Sequence, residues 1–408
     1  MDGPAFRGAA GPALRPQSLL EVDDHEVSRL GSGIREFDRV LGGGLVPGGS
    51  VLVGGDPGVG KSTLLLEVAA HRAGAGSMPL YVTAEESVAQ VALRARRLGL
   101  TQKNLMVVAE ERLEAILDLV LDDPPDLVVI DSIQTVRKAE LGSAAGSVAQ
   151  VRECAADLVA AARRGSFALI LVGHVTKEGA LAGPRVLEHL VDAVLYFEGE
   201  RDTQLRVLRA VKNRHGPAGE LAVFAMSASG LIDPDRPAGA FLGVARGLPG
   251  AVVTPAVEGT RVFLVEIQAL TSRASYGPAR VRANGIDPNR ATMLAAVLNR
   301  RAGLALFDQD LYVNVVGGLK LTDPGCDLAV CLAIASSFFD RPLEQEMIAF
   351  GEVGLGGEVR GVRSGSLRLR EAAALGFRQV LAPEGEYEDR SGMDLKPIRG
   401  LAEAIDLL

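Results

Sequence analysis

The sequence predicts an α/β fold built on a parallel sheet covered by helices, followed by a smaller α+β domain. Three observations carry that prediction. Short Val/Ile/Leu runs alternate with longer helical patterns over the first part of the 408 residues, as strands joined by crossover helices do. The texture changes near Leu231, where LIDPDRPAGAFLGVARGLPG is rich in Pro and Gly and marks a boundary. Beyond it, AVVTPAVEGTRVFLVEIQAL reads as two strands around a turn at Glu258-Gly259.

Taken in order, residues 1–25 open with MDGPAFRGAAGPALRPQ, which has an early acid, three prolines and no apolar stretch. This is expected to be a disordered tail and not a signal peptide. A first domain over 26–235 has expected strands at Val51–Gly54, Leu80–Thr83, Leu105–Val108, Leu127–Ile130 and Ala168–Val172. Each is apolar on both faces, the mark of a buried parallel strand. Ser62–Ala73 and Ser87–Leu98 show helical spacing between them. A second domain over 236–408 continues past its hairpin with a helix at Asn289–Arg301 and a strand at Leu311–Val316. An apolar helix after Gly325 and a helix from Ser366 follow.

Composition narrows the class. A net charge of −8 argues against a generally basic, histone-like binder but leaves room for local basic patches. Cys154, Cys326 and Cys331 are the three cysteines and contain no CxxC pair. They suit a reducing compartment and cannot make a four-ligand zinc site. The longest apolar run, Leu328–Phe339, is too short to span a bilayer. The expectation is a soluble, cytoplasmic protein without a membrane partner.

Gly55-Asp56-Pro57-Gly58-Val59-Gly60-Lys61-Ser62 fits G-x-x-x-x-G-K-[ST] without a mismatch, follows an apolar strand and opens an amphipathic helix. That is the context a phosphate-binding loop requires. Its glycines let backbone N–H groups approach the phosphates, and the helix N-terminus adds favourable partial charge. Lys61 is expected on the β- and γ-phosphates, the Ser62 hydroxyl on Mg²⁺, and Thr63 beside them in the first helical turn. DLVVIDS puts Asp131 at a strand tip, where a second carboxylate would hold the Mg²⁺ through water. YVTAEES places Glu85 and Glu86 just past another strand. Either could orient the attacking water, and both could instead start a helix, where acids suit the dipole. His174, at the tip of ALILVGH, is a candidate sensor of the γ-phosphate or a plain strand-end histidine.

VKNRHGPAGE gathers Lys212, Arg214 and His215 in an acidic chain. By itself such a run is a solvated turn. Beside a nucleotide site, Lys212 and Arg214 form a candidate finger acting on a neighbouring subunit, because residues i and i+2 of an extended segment share a side. A trans-acting finger implies a closed head-to-tail ring.

GDPGVGKSTLLLEV, YVTAEES, LVVIDSIQTV, GSVAQVRECA, VGHVTKEGALAGPRVLEH and VKNRHG together resemble the RadA (Sms) family of bacterial recombination and repair ATPases. The resemblance runs from about Val27 through VFLVEIQAL, VNVVGGLKLTD and GEVGLGGEVR to the end. It implies a RecA-like P-loop ATPase core with a parallel sheet, then an α+β Lon-protease-like domain. It also implies a hexameric ring that uses ATP and Mg²⁺ on single-stranded and branched DNA, driving branch migration with RecA. The resemblance makes Lys212, Asn213, Arg214, His215 and Gly216 the family's signature pentapeptide. Loops 137–150 and 177–185 become the DNA-facing channel loops, with Arg137, Lys138, Lys177 and Arg185 as contacts.

Three departures stand out. His215 replaces the family's usual Phe. The family's N-terminal four-cysteine zinc finger is absent, so no zinc is expected in this chain. The Ser/Lys dyad of Lon-type peptidases is replaced by Gly325 and Arg368, which leaves peptide cleavage without a nucleophile or a deprotonatable amine. In its place, Arg273, Arg280, Arg282, Arg290, Arg300 and Arg301 stand against one acid, Asp287, and read as a phosphate-binding face. Arg360, Arg363, Arg368 and Arg370 add a second cluster. The alternative is a KaiC-like regulatory ATPase ring acting on protein partners, which the acids and the finger would suit equally.

Overall fold

The computed structural model describes residues 29–174, 186–199, 205–227, 230–234, 237–245, 247–274 and 279–408. The chain enters through the short helix α1 (Arg35–Val40) and then alternates: β1 (Ser50–Gly55), α2 (Lys61–Gly74), β2 (Leu80–Thr83), α3 (Val88–Arg97), β3 (Met106–Ala109), α4 (Leu113–Asp122), β4 (Leu127–Asp131), α5 (Val148–Gly165) and β5 (Ala168–His174). Four further strands follow: β6 (Ala193–Glu198), β7 (Leu205–Asn213), β8 (Leu221–Ser227) and β9 (Gly230–Ile232). The nine form one sheet in the order β3-β2-β4-β5-β1-β6-β7-β8-β9. Strands β1 to β6 pair in parallel, whereas β6 to β9 form an antiparallel extension. The first four connections carry helices, β5 to β6 is a further parallel crossover past β1, and from β6 onward successive strands pair antiparallel.

Residue choice explains the local structure. Every residue of β1, β2 and β4 is buried, as their unbroken apolar runs require. Ser87 caps α3 by accepting from Gln90 N, and the Gln90 side chain returns to the cap backbone, a reciprocal capping box. The expectation of burial on both faces fails at β3. Its residues are exposed or half-buried, with Met106 48% exposed. The apolar run is real, but β3 lies at the sheet edge with β2 as its one neighbour.

The second sheet begins with β10 (Ala251–Glu258) and β11 (Arg261–Arg273), an antiparallel pair in full register. It continues with β12 (Val281–Asn284), α6 (Pro288–Arg301), β13 (Gln309–Val315), α7 (Asp327–Phe339) and β14 (Met347–Ala349). After a separate ribbon of β15 (Glu352–Val353) and β16 (Val359–Arg360) come α8 (Gly365–Ala374), β17 (Gln379–Pro383), β18 (Asp394–Ile398) and α9 (Leu401–Ile405). The strand order is β12-β13-β11-β10-β14-β17-β18. Helix α7 is buried all round from Asp327 to Ser336, as a helix without a polar stripe must be. It packs with α6 on one face of the sheet, while Leu369 and Ala372 of α8 pack against Val253 and Leu264 on the other.

The two sheets share an apolar seam. Val207, Leu221 and Val223 of the first belong to the same core as Phe263 and Val313 of the second and Leu294 of α6. Two ion pairs bridge the seam: Arg209 to Glu258 at 2.7 Å and Arg261 to Glu36 at 2.8 Å. Both carboxylates are buried; losing Arg209 would strand Glu258, whereas Glu36 would keep Arg39 at 3.4 Å.

Candidate nucleotide site

The loop from Gly55 to Gly60 joins the end of β1 to the start of α2. Gly60 has φ 115°, and a Cβ there would lie 2.9 Å from Met226 Cε. The positive φ is what favours glycine there; Met226 could give way to a Cβ. Lys61 is 4% exposed and its ammonium folds back on its own loop, donating to Gly55 O at 2.7 Å and Asp56 O at 3.0 Å. Burial pulls its pKa below the ordinary lysine value, against the attraction of Asp131, Asp56 and Glu85. Those carbonyl bonds hold the cation where a β/γ-phosphate would replace them. Ser62 and Thr63 follow in the first turn, both half-buried. Arg206 of β7 reaches the loop from below, its Nε donating to Val59 O at 3.1 Å.

Asp131 ends β4 beside Thr83 of β2. It is 8% exposed and accepts a 2.5 Å bond from the Tyr81 hydroxyl. Burial first, and then the charge of Asp131, pushes the Tyr81 pKa well above its ordinary value, so the phenol stays a donor and fixes the carboxylate. Ser62 and Asp131 are therefore the groups that could hold a Mg²⁺ ion when nucleotide is bound. The fit rests on the donor set, one hydroxyl and one carboxylate beside a buried cation.

The two adjacent glutamates part company. Thr83 Oγ1 accepts from Glu86 N at 3.1 Å and donates to Glu86 O at 2.9 Å, which pins the turn after β2. Glu86 then pairs with Arg94 of α3 at 2.6 Å. Glu85 instead faces the strand tips, where Ser132 Oγ donates to it and its charge acts on Lys61. Of the two acids, Glu85 is the one on the Lys61 side of the strand tips. The backbone of His174 ends β5 in register with Gly55; its side chain lies outside the description, as do Lys177 and Arg185.

The expected signature pentapeptide, residues 212–216, lies at the far end of β7. Lys212 does not project freely: its Nζ donates to Glu188 O at 2.6 Å and Val191 O at 2.8 Å. Burial and the neighbouring Arg214 hold its pKa below the ordinary value. Arg214 is 56% exposed and lies 3.5 Å from Asp192. Asn213 donates to Val40 O at 3.3 Å and accepts from His215 N at 2.9 Å. Gly216 packs on Gly42, where a Cβ would come within 3.0 Å. His215 is exposed.

Several expected DNA contacts are already engaged within the chain. Arg137 pairs with Glu111 at 2.6 Å and Lys138 with Asp157 at 2.7 Å. The six arginines from 273 to 301 do not share one face. Arg290 grips Asp327 through two nitrogens, one bond at 2.9 Å, and is a structural clamp between α6 and α7. Arg300 and Arg301 end α6, on the opposite layer from Arg282, while Arg273, Arg280 and Arg282 stand exposed. Arg368 leaves the second cluster entirely: it is fully buried, paired with Asp323 at 2.8 Å and set over the Phe350 ring at 5.6 Å.

Sequence reading missed Tyr81, Arg206 and Glu67. A lone Tyr or Arg inside a strand carries no signal of what it will touch. Glu67 lies on α2, 7% exposed, accepting from Leu231 N at 3.2 Å. Burial raises its pKa to about 7. A raised carboxyl pKa adds stability that is full below about 4.5 and is lost as pH rises through 7. Glu67→Gln keeps the acceptor and removes the titration. Its melting temperature should exceed that of the parent by a few degrees at pH 8 and by almost nothing at pH 5, read by calorimetry. An equal gain at both values would show that Glu67 does not titrate there.

A phosphate loop after β1, an acid at the tip of β4 and the β3-β2-β4-β5-β1 order define a RecA-like P-loop ATPase. A family model described as an AAA domain matches residues 16–180. The chain is 49% identical over 405 residues to the DNA repair protein RadA of Pseudomonas aeruginosa, covering 98% of this chain and 89% of that protein. It is 46% identical to the RadA proteins of Bacillus subtilis and Escherichia coli, covering 98% of this chain and 88% of each. The chain belongs to the RadA family of DNA repair proteins. Among the described residues no helix is long and apolar enough to cross a membrane.

Proposed function

We propose that this ATPase is a DNA-dependent motor of homologous recombination and repair. It works as a closed, hexameric ring on single-stranded and branched DNA and promotes branch migration together with RecA. The observation that carries the reading is a division of charge. The acids Glu85 and Asp131 gather at the strand tips around Lys61, while Arg273, Arg280 and Arg282 stand exposed on the second sheet. Nucleotide chemistry and phosphate-backbone contact thus have separate homes in one chain.

The ring reading is supported by the pentapeptide. Lys212 is spent on its own carbonyls, which leaves Arg214 as the cation to complete a neighbour's site. A peptidase reading has no support. A Cβ added at Gly325 would meet Arg368 Nη2 at 2.8 Å, so a serine there would require this buried arginine to shift. Burial raises the adjacent Cys326 thiol well above its ordinary pKa and keeps it protonated.

The test is ATP turnover with and without single-stranded DNA, using Lys61→Ala as the blank. Stimulation of several-fold that fades with salt is the expected result, and Arg214→Ala should bind nucleotide yet lose most of the stimulated rate. Turnover indifferent to DNA at low salt would move the weight to a ring that acts on protein partners.

A further inference from the structure

On the half of the second sheet formed by β11, β13 and β12, helices α6 and α7 cover one face. On the opposite face, register aligns Leu270, Tyr312 and Arg282 in one cross-strand row, and Gln268, Asn314 and Asn284 in the next. Leu270 is 59% exposed and Tyr312 39%, while Arg282, Asn284 and Asn314 are also exposed. Their strand neighbours Ala269, Leu311, Val313 and Val315 are buried, so the alternation is clean and the whole row faces solvent. Directly opposed residues keep their Cβ atoms within roughly 5 Å, which makes the rows continuous.

A flat aromatic with an aliphatic neighbour on one side, a guanidinium on the other and amides alongside is the chemistry that takes unpaired bases. The ring offers a stacking surface to a base of any sequence, and the cation takes the phosphate. Asn284 donates to Asn314 at 3.1 Å, which fixes both amides beside the ring. Two carboxylates lie on this face: Asp310, two residues from Tyr312, accepts from Arg280 N at 2.9 Å, and the buried Glu266 accepts from the Gln268 amide at 2.7 Å. The amide row ends at a cleft of about 370 Å³ between the two sheets, lined by Asn284, Gly318 and Lys320 on one side and by Gly55 and Asp56 on the other. A strand lying along the rows would end beside the phosphate loop.

We propose that this face is a stacking platform for single-stranded DNA, with a base on Tyr312 and the adjoining phosphate on Arg282. It rests on the reading of the chain as a DNA-dependent ATPase and names the surface that reads the unpaired strand. The bases of a duplex, stacked on one another, have no free face to offer Tyr312.

The experiment measures binding of a labelled oligothymidylate by fluorescence anisotropy over a salt series, with an abasic oligonucleotide of equal length beside it. Tyr312→Ala should weaken oligothymidylate binding about tenfold or more, and Tyr312→Phe should not. Wild type should hold the abasic strand no better than Tyr312→Ala does. Arg282→Ala should flatten the dependence of log K on log salt by about 0.7. Basal turnover without DNA should be unchanged in all three variants. If Tyr312→Ala binds as wild type does, or lowers only the oligomeric mass, the face is not a platform, and in the latter case it joins copies of this chain. If wild type neither binds nor responds to the oligonucleotide, the DNA-dependent reading itself falls.

Discussion

Glu85→Gln should lower ATP turnover by about 10²–10⁴-fold, the range for losing a positioned proton acceptor, while leaving nucleotide affinity nearly intact. Glu86→Gln should leave turnover within a few-fold of the parent. The contrast follows from two adjacent residues with different partners. Glu85 lies against Ser132 at the tip of β4 and acts electrostatically on Lys61. Glu86 turns away to Arg94, 2.6 Å from its guanidinium. Single-turnover hydrolysis separates chemistry from binding. Equal losses in the two variants, or a larger loss at Glu86, would reverse the assignment.

The second large effect is on stability. Arg368→Ala should destabilise the fold by about 3–5 kcal/mol, because removing one partner strands the other charge in the interior. Asp323 would keep its bonds from Val257 N at 2.8 Å and Gly325 N at 2.9 Å, but it would face them without a counter-ion. The cation also holds Pro255 O and Arg363 O, tying β10 to the start of α8. Arg368→Met, similar in volume, should lose less packing than Arg368→Ala yet still leave Asp323 unpaired. Pairing Arg368→Met with Asp323→Asn should recover part of the loss in urea melts. Failure of the double variant to recover anything would place the energy in packing, not in the ion pair.

What the sequence disclosed and what it hid divide along a physical line. The phosphate loop is a contiguous motif whose chemistry depends on local backbone, so its place between β1 and α2 was legible. The strand tip at Asp131 was legible because an apolar run that ends in an acid needs no distant information. The choice between Glu85 and Glu86 was not, since it turns on Arg94 and Ser132, contacts made through the fold. The burial expected of β3 failed because strand order, which sets the edge, is not written in a strand's own residues. The arginines between 273 and 301 misled for a related reason. Charge counted along the chain ignores layers, and Arg290 finds Asp327 thirty-seven positions away.

β7 contacts the phosphate loop through Arg206, contributes Val207 to the second sheet's core, holds Glu258 through Arg209, and ends in Lys212 and the pentapeptide. Within nine residues of extended backbone it spans the pocket, the neighbouring domain and the outer rim. Its one irregularity against β6 is at Val211, where the register slips by a residue between Ala210 and Lys212, the local kink of a bulge. The stretch from Arg206 to Ala210 thus ties the loop to the second domain, and the bulge separates that stretch from the Lys212 rim.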